Sequence, residues 1–173
     1  MTSGPDAAAA LESEAVADEY DLYVVHETPR GLTQIAWANV VHAIATGAGA
    51  LLVDCAEPLS VLTTSSTRAA EPVAPTVTSA TVHFVAHHPI TRGLRDFTVN
   101  SSAAHTEPTA DESVLATLQP GDVPALLVSR HARGHVARVA IGVGGGALRS
   151  NDPARRLIHR CAEWACSGNV IDF

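Results

Sequence analysis

LYVVHETPRGLTQIAWANVVHAIATGAGALLVD, Leu22 to Asp54, decides the fold class. Leu22 to His26 is a short run with apolar residues on both faces, the pattern of a buried parallel strand. Glu27-Thr28-Pro29-Arg30-Gly31 reads as a turn. Thr33 is a good N-cap for a helix running to about Thr46. Within it Trp37, Val40, Val41 and Ile44 recur at helical spacing. Gly47 and Gly49 end the helix, and Ala50 to Asp54 is a second apolar strand. Strand, helix, strand in this order predicts a right-handed parallel crossover and an α/β domain.

Outward from this unit the pattern is less regular. Ala7 to Asp18 reads as a short acidic helix or a loose arm. Cys55 to Thr78 is rich in Thr, Ser, Ala and Pro and reads as a long loop. Strands are expected at Ala80–Ala86, Ser113–Thr117, Ala125–Ser129 and Val136–Ile141. Asp152-Pro153 opens a last helix to about Cys166, with Pro153 in its first turn. Leu157, Ile158, Cys161, Trp164 and Ala165 form its expected buried stripe. There is no internal repeat. The expected organisation is an arm over residues 1–18, one domain over 19–168 and a tail over 169–173.

Composition narrows the function classes. A chain of 173 residues with 46% apolar content can bury one sizeable core. No apolar run reaches the length that spans a bilayer. The acidic, Ala-rich start lacks the basic and apolar regions of a secretory signal. The net charge of −7, with no basic run, argues against nucleic-acid binding. All 11 basic residues are Arg, so a Schiff-base lysine is excluded. Three Cys without a secretion signal suggest reduced thiols and a cytoplasmic protein.

The most specific segment is HHPITRGLRDFTV, His87 to Val99. Pro89 holds His88 out of the helical region, and Gly93 can take a positive φ. The chain therefore leaves a strand and turns tightly. The turn is expected to expose His87, His88 and Arg92 near a strand end, where α/β sheets tend to place sites.

His-Pro-Ile-Thr-Arg-Gly-Leu followed by Asp-Phe resembles the hallmark of the trehalose-utilisation (ThuA-like) family, within the class I glutamine amidotransferase-like group. Glu19–Thr33, Thr46–Ala56, Val123–Gly142 and Asn151–Ala165 resemble that family's other elements more weakly. The resemblance implies a three-layer sandwich with a mostly parallel flavodoxin-like sheet. It also implies that the family's first strand–helix–strand unit is lacking. Loss of that central strand would leave Leu22–His26 with unpaired edge groups. A homo-oligomer, or else a partner chain, is expected to cover them if the sheet is not rearranged.

Three departures from the family pattern concern chemistry. The family's His after the second strand is replaced in Val53-Asp54-Cys55. Its acidic pair after the hallmark appears as Asn100-Ser101-Ser102. Its late Gly-His appears as Gly142-Val143.

The candidate catalytic residues are His26, Asp54, Cys55 and His88. Imidazole titrates near neutral pH and suits acid/base work. Cys55 stands where relatives place a nucleophile, but no Gly-flanked elbow surrounds it. The candidate substrate-binding residues are Glu27, Arg92, His105 and Glu107. No cofactor is firmly implied. His26, His87, His88 and His105 are candidate ligands for a divalent metal such as zinc, although no HxxxH or HExxH spacing occurs. Gly142 to Gly146 is neither GxGxxG nor a P-loop.

The leading expectation is a small-molecule enzyme acting by proton transfer on a carbohydrate-like or carbonyl-bearing metabolite, isomerase- or lyase-like. The alternatives are a non-catalytic binding or scaffold subunit, and a specialised-metabolite cyclase or dehydratase.

Overall fold

Thr33 starts the first long helix by accepting a hydrogen bond from the Ala36 N–H at 3.2 Å. Such a cap satisfies one of the orphan donors of a helix start. In the computed structural model this helix, α2, spans Gln34–Thr46 and ends at Gly47, whose φ of 139° a side chain would resist. The structure describes residues 9–26, 32–55, 59, 78–101, 107–142 and 150–171. Before α2 come a short helix α1, Glu14–Ala17, and strand β1, Leu22–His26. The described part of the arm packs on the domain: Asn39 Nδ2 donates to Leu11 O at 3.0 Å, and the buried Tyr23 hydroxyl donates to Ala17 O.

Strand β2, Gly49–Val53, follows α2. Then come β3 (Thr78–Phe84), β4 (Phe97–Ser101), β5 (Ser113–Gln119), β6 (Val123–His131) and β7 (Gly134–Val139). Helix α3, Asp152–Ser167, closes the described chain. Asn151 caps it by accepting from Ala154 N at 3.1 Å, and Gly168 ends it in the left-handed conformation. Among the described residues no helix is long and apolar enough to cross a membrane.

The seven strands form one sheet in the order β1-β2-β7-β6-β5-β3-β4. Only β1/β2 and β2/β7 are parallel; the other four pairings are antiparallel. The expected mostly parallel sheet is therefore corrected to a mixed one. The cause is local. β5, β6 and β7 are joined by turns of a few residues, and such turns connect only antiparallel neighbours. Strand β4 was not expected from the sequence. On one side β1 pairs with β2, from Leu22↔Gly49 to His26↔Val53; on the other it is an edge strand of the described sheet.

Alternation along β2 builds two cores. Leu51 and Val53 face α3 and pack with Leu157, Cys161 and Trp164. Ala50 and Leu52 face α2 and pack with Trp37, Val40 and Ile44. The parallel half of the sheet is thus covered on both faces. Two glycines permit the close approach. A Cβ on Gly49 would collide with the Ala165 carbonyl, and one on Gly134 with the carbonyls of Ile44 and Ala48.

A buried ion pair crosses the sheet. Arg138 on β7 has a side chain of zero exposure and meets Glu112 Oε2 at 2.6 Å. The guanidinium also donates to Glu107 O at 2.8 Å. Thr109 supports the carboxylate with its N–H at 2.9 Å and its hydroxyl at 3.2 Å. Removing one partner of such a pair strands a buried charge. Glu112→Ala is expected to destabilise the protein by about 3–5 kcal/mol in urea unfolding, and the double variant Arg138→Met/Glu112→Leu by clearly less. Gly134→Ala should cost about 1–3 kcal/mol by overpacking. A wild-type midpoint for either single variant would contradict this packing.

Candidate functional site

Strand directions decide which residues can meet. β1, β2 and β7 run the same way, and their carboxyl ends define one end of the sheet, here the upper end. β6 runs down, β5 up and β3 down, because each is antiparallel to the one before. β3 therefore delivers His87 to Leu94 to the lower end, and β4 returns upward. The expectation that the hallmark turn lies beside the ends of the parallel strands is corrected for this reason. It follows a strand's carboxyl end, but of a strand that points the other way.

At the upper end, Asp54 follows β2 with φ of 52°, a strained value for a residue with a Cβ. Its Oδ1 accepts from Gly142 N at 2.7 Å and Ile141 N at 3.1 Å, and its own N–H donates to Val139 O at 2.7 Å. The carboxylate thus clasps the end of β7. Its Oδ2 lies 3.9 Å from Nε2 of His26, which is half exposed. That is an ion-pair distance, longer than a hydrogen bond. Cys55 comes from the same end of the chain trace but is fully buried, its thiol 3.6 Å from the carbonyl oxygens of Val25 and Val53. It packs in the core beneath α2 rather than facing a cleft, which suits a small hydrophobe better than a nucleophile.

At the lower end the hallmark turn is held by its own side chains. Thr91 Oγ1 accepts from His88 N at 3.1 Å and donates to Ala86 O at 2.9 Å. His88 Nδ1 accepts from Ile90 N at 3.3 Å, which leaves its hydrogen on Nε2 in the neutral ring. Gly93 takes the expected positive φ, 70°. Arg160 of α3 donates to Ile90 O at 3.3 Å and also to Arg92 O. The rings of His88 and His135 stand edge-on to Trp164, at 5.0 and 4.9 Å. Burial pushes His88 below the ordinary imidazole range. Burial, and then the nearby Arg130, do the same to His135.

The candidate residues are therefore split. His26 and Asp54 meet at one end, while His87, His88 and Arg92 lie at the other. Glu107 is exposed, and its carbonyl serves Arg138. Glu27 and His105 lie outside the described residues. Among the described residues no three His, Cys, Asp or Glu side chains gather in a way that could hold a metal. The candidate ligands His26, His87 and His88 do not converge.

One pair escaped the sequence reading. His83 Nδ1 is 2.6 Å from Asp96 Oδ2, and Asp96 Oδ1 accepts from Phe84 N at 3.0 Å. The hydrogen bond from His83, then that from Phe84, hold Asp96 below the usual carboxylate range. The signal was available only once β4 was seen to pair back on β3. Val82 then sits opposite Phe97, which sets His83 opposite Asp96.

No protein-family model and no curated protein matches this sequence. Solved structures do. A protein from Bacteroides uniformis described as ThuA-like is 14% identical, with a TM-score of 0.66 over 98% of this chain and 78% of its own. Another so described, from Parabacteroides merdae, is 13% identical, with a TM-score of 0.66 over 90% and 73%. The cytoplasmic protein STM3548 from Salmonella typhimurium is 13% identical, with a TM-score of 0.60 over 93% and 76%. The chain has the ThuA-like fold. At this identity the likeness speaks for the fold alone. The departures from the ThuA-like sequence pattern now gain a location. Asp54 ends β2, Asn100 and Ser101 end β4, and Gly142 follows β7. All belong to the upper end, whereas the retained hallmark sits at the lower one.

The His–Trp–His cluster makes a pH prediction. His88 and His135 bind protons less readily folded than unfolded. Below the free imidazole pKa of ~6.5 the unfolded chain takes up protons first. Stability should therefore fall as pH drops from about 7 toward 5. The fall ends once the pH is below the folded-state values. Urea unfolding at several pH values checks this, and His88→Gln with His135→Gln should flatten the profile.

Proposed function

We propose that this chain acts on a carbohydrate-like or carbonyl-bearing metabolite by proton transfer at the upper end of its sheet. His26 is the acid/base group and Asp54 the fixed carboxylate beside it. The observation that carries this reading is the Asp54 geometry: a positive φ, two backbone donors on one oxygen, and the other oxygen turned toward His26. Backbone strain of that kind concentrates at functional sites. The carboxyl ends of parallel strands are also where α/β folds place ligands.

In the proposed step the proton passes to His26, the electron pair of the broken C–H bond moves onto the carbonyl oxygen as an enolate, and the ring later returns a proton to carbon. A half-exposed imidazole removes a proton from the carbon next to a carbonyl, and the fixed carboxylate offsets the charge that forms on the ring. In this reading Cys55 has no covalent role, and His88 takes no part in the step.

A second reading is favoured by the co-location of the three departures. A fold that has changed its upper end while keeping its lower turn fits a non-catalytic binding subunit. In that case β1, an edge strand of the described sheet with Val24 60% exposed, is its surface for a second copy or a partner chain.

The test is deuterium exchange. The protein is incubated in D2O with hydroxy-aldehydes and hydroxy-ketones of sugar type, and loss of the C–H signal beside the carbonyl is followed by NMR. Exchange above background is expected with at least one of them, slowed roughly 100-fold or more in His26→Gln. The thermal midpoint should be unchanged, since His26 is half exposed. Binding without exchange would favour the non-catalytic subunit.

A further inference from the structure

The lower end carries a cleft of about 810 Å³ that the proposed proton transfer does not use. Its walls include His83, His87, His88, Arg92, Gly93 and Asp96. The size falls in the range of small-molecule sites.

Three features give the cleft a chemistry. The first is charge. From His83 to Asp96 the chain carries Arg92 and Arg95 against Asp96 alone, in a protein whose net charge is −7. Of these, Arg92 and Asp96 line the cleft, together with the imidazoles of His83, His87 and His88, so the cleft presents a guanidinium that can pair with a small anion.

The second is the His83–Asp96 pair. An ionised carboxylate only accepts, so His83 Nδ1 carries the hydrogen at the 2.6 Å contact and Nε2 is the ring's remaining polar atom. Both Asp96 oxygens are engaged, one by His83 and one by Phe84 N. With both ring nitrogens protonated, His83 donates through Nε2.

The third is access. A Cβ built on Gly93 would meet nothing within 4 Å, so open space adjoins the turn backbone. A ligand can approach there. The turn itself is fixed by the Thr91 bonds and by Arg160, so the walls need no large reordering on binding.

We propose that this cleft binds a small organic anion, a phosphorylated or carboxylated metabolite, held by Arg92 and by Nε2 of His83 with Asp96 as its positioning residue. The site is independent of His26 and Asp54, which lie at the opposite end of the sheet. It can therefore stand or fall separately from the upper-end activity.

The full-length protein, labelled with ¹⁵N, is titrated with glucose 6-phosphate and with gluconate, using glucose as the neutral control. The expected result is saturable shifts of the Phe84 to Asp96 amides with at least one anion and none with glucose. Added salt should weaken them. Arg92→Gln and His83→Gln should each weaken binding about tenfold or more, as expected for losing one charge-assisted contact. His26→Gln should leave it unchanged. Arg92 and His83 are exposed or nearly half exposed, so both variants should fold, and thermal midpoints check this. Shifts that fail to saturate, equal response to glucose, or wild-type binding by a folded Arg92→Gln protein would overturn the proposal.

Discussion

Strand β7 has to satisfy two different hydrogen-bonding geometries at once. On one side it runs parallel to β2, and on the other antiparallel to β6. Everything else in the sheet follows from that position. The parallel side needs a helix on each face, and α2 and α3 supply them. The antiparallel side needs only turns, and it leaves one face of β7 to the buried guanidinium of Arg138. That charge is held in register by Glu112 and the Glu107 carbonyl. The Asp54 carboxylate then fastens the outgoing end of β7 to the end of β2. A tight hairpin, a parallel seam and a clasp all converge on six residues of one strand.

Much of this was legible in the sequence. The apolar strand Leu22–His26, the Thr33 cap, the helix to Thr46 and the Pro153 start of α3 are local signals, and each appears where its physics puts it. Strand pairing is not local, and there the reading failed. Ser113–Gln119 and Val123–His131 look like any apolar strands; only the short turns between them force them antiparallel. Phe97 to Ser101 alternates apolar and polar residues, but five residues directly after a tight turn are too short a pattern to mark a strand without its partner. The missed strand carried the missed His83–Asp96 pair with it.

The same error governed the site. His88 and Asp54 each follow a strand, and in a parallel sheet that would bring them together. A single reversal, at β3, sends them to opposite ends. Burial was the other unseen quantity. Cys55 and Asp54 are adjacent in sequence, yet one points into the core and the other clasps β7, because the positive φ at Asp54 redirects the chain between them. The ThuA-like resemblance pointed to the right family of folds but not to its mixed sheet, and the residues that made it recognisable lie away from the end where the departures cluster.

The order of strands in space also has a consequence in time. β5, β6 and β7 are neighbours both along the chain and in the sheet, so their pairing closes only small loops. The seam between β2 and β7 joins segments separated by most of the protein's middle, and closing so long a loop carries a larger entropic cost. The antiparallel meander is thus the natural early scaffold, with the parallel layer added onto it. The Asp54 clasp joins the two segments of that seam, so it can form only once the long loop is closed.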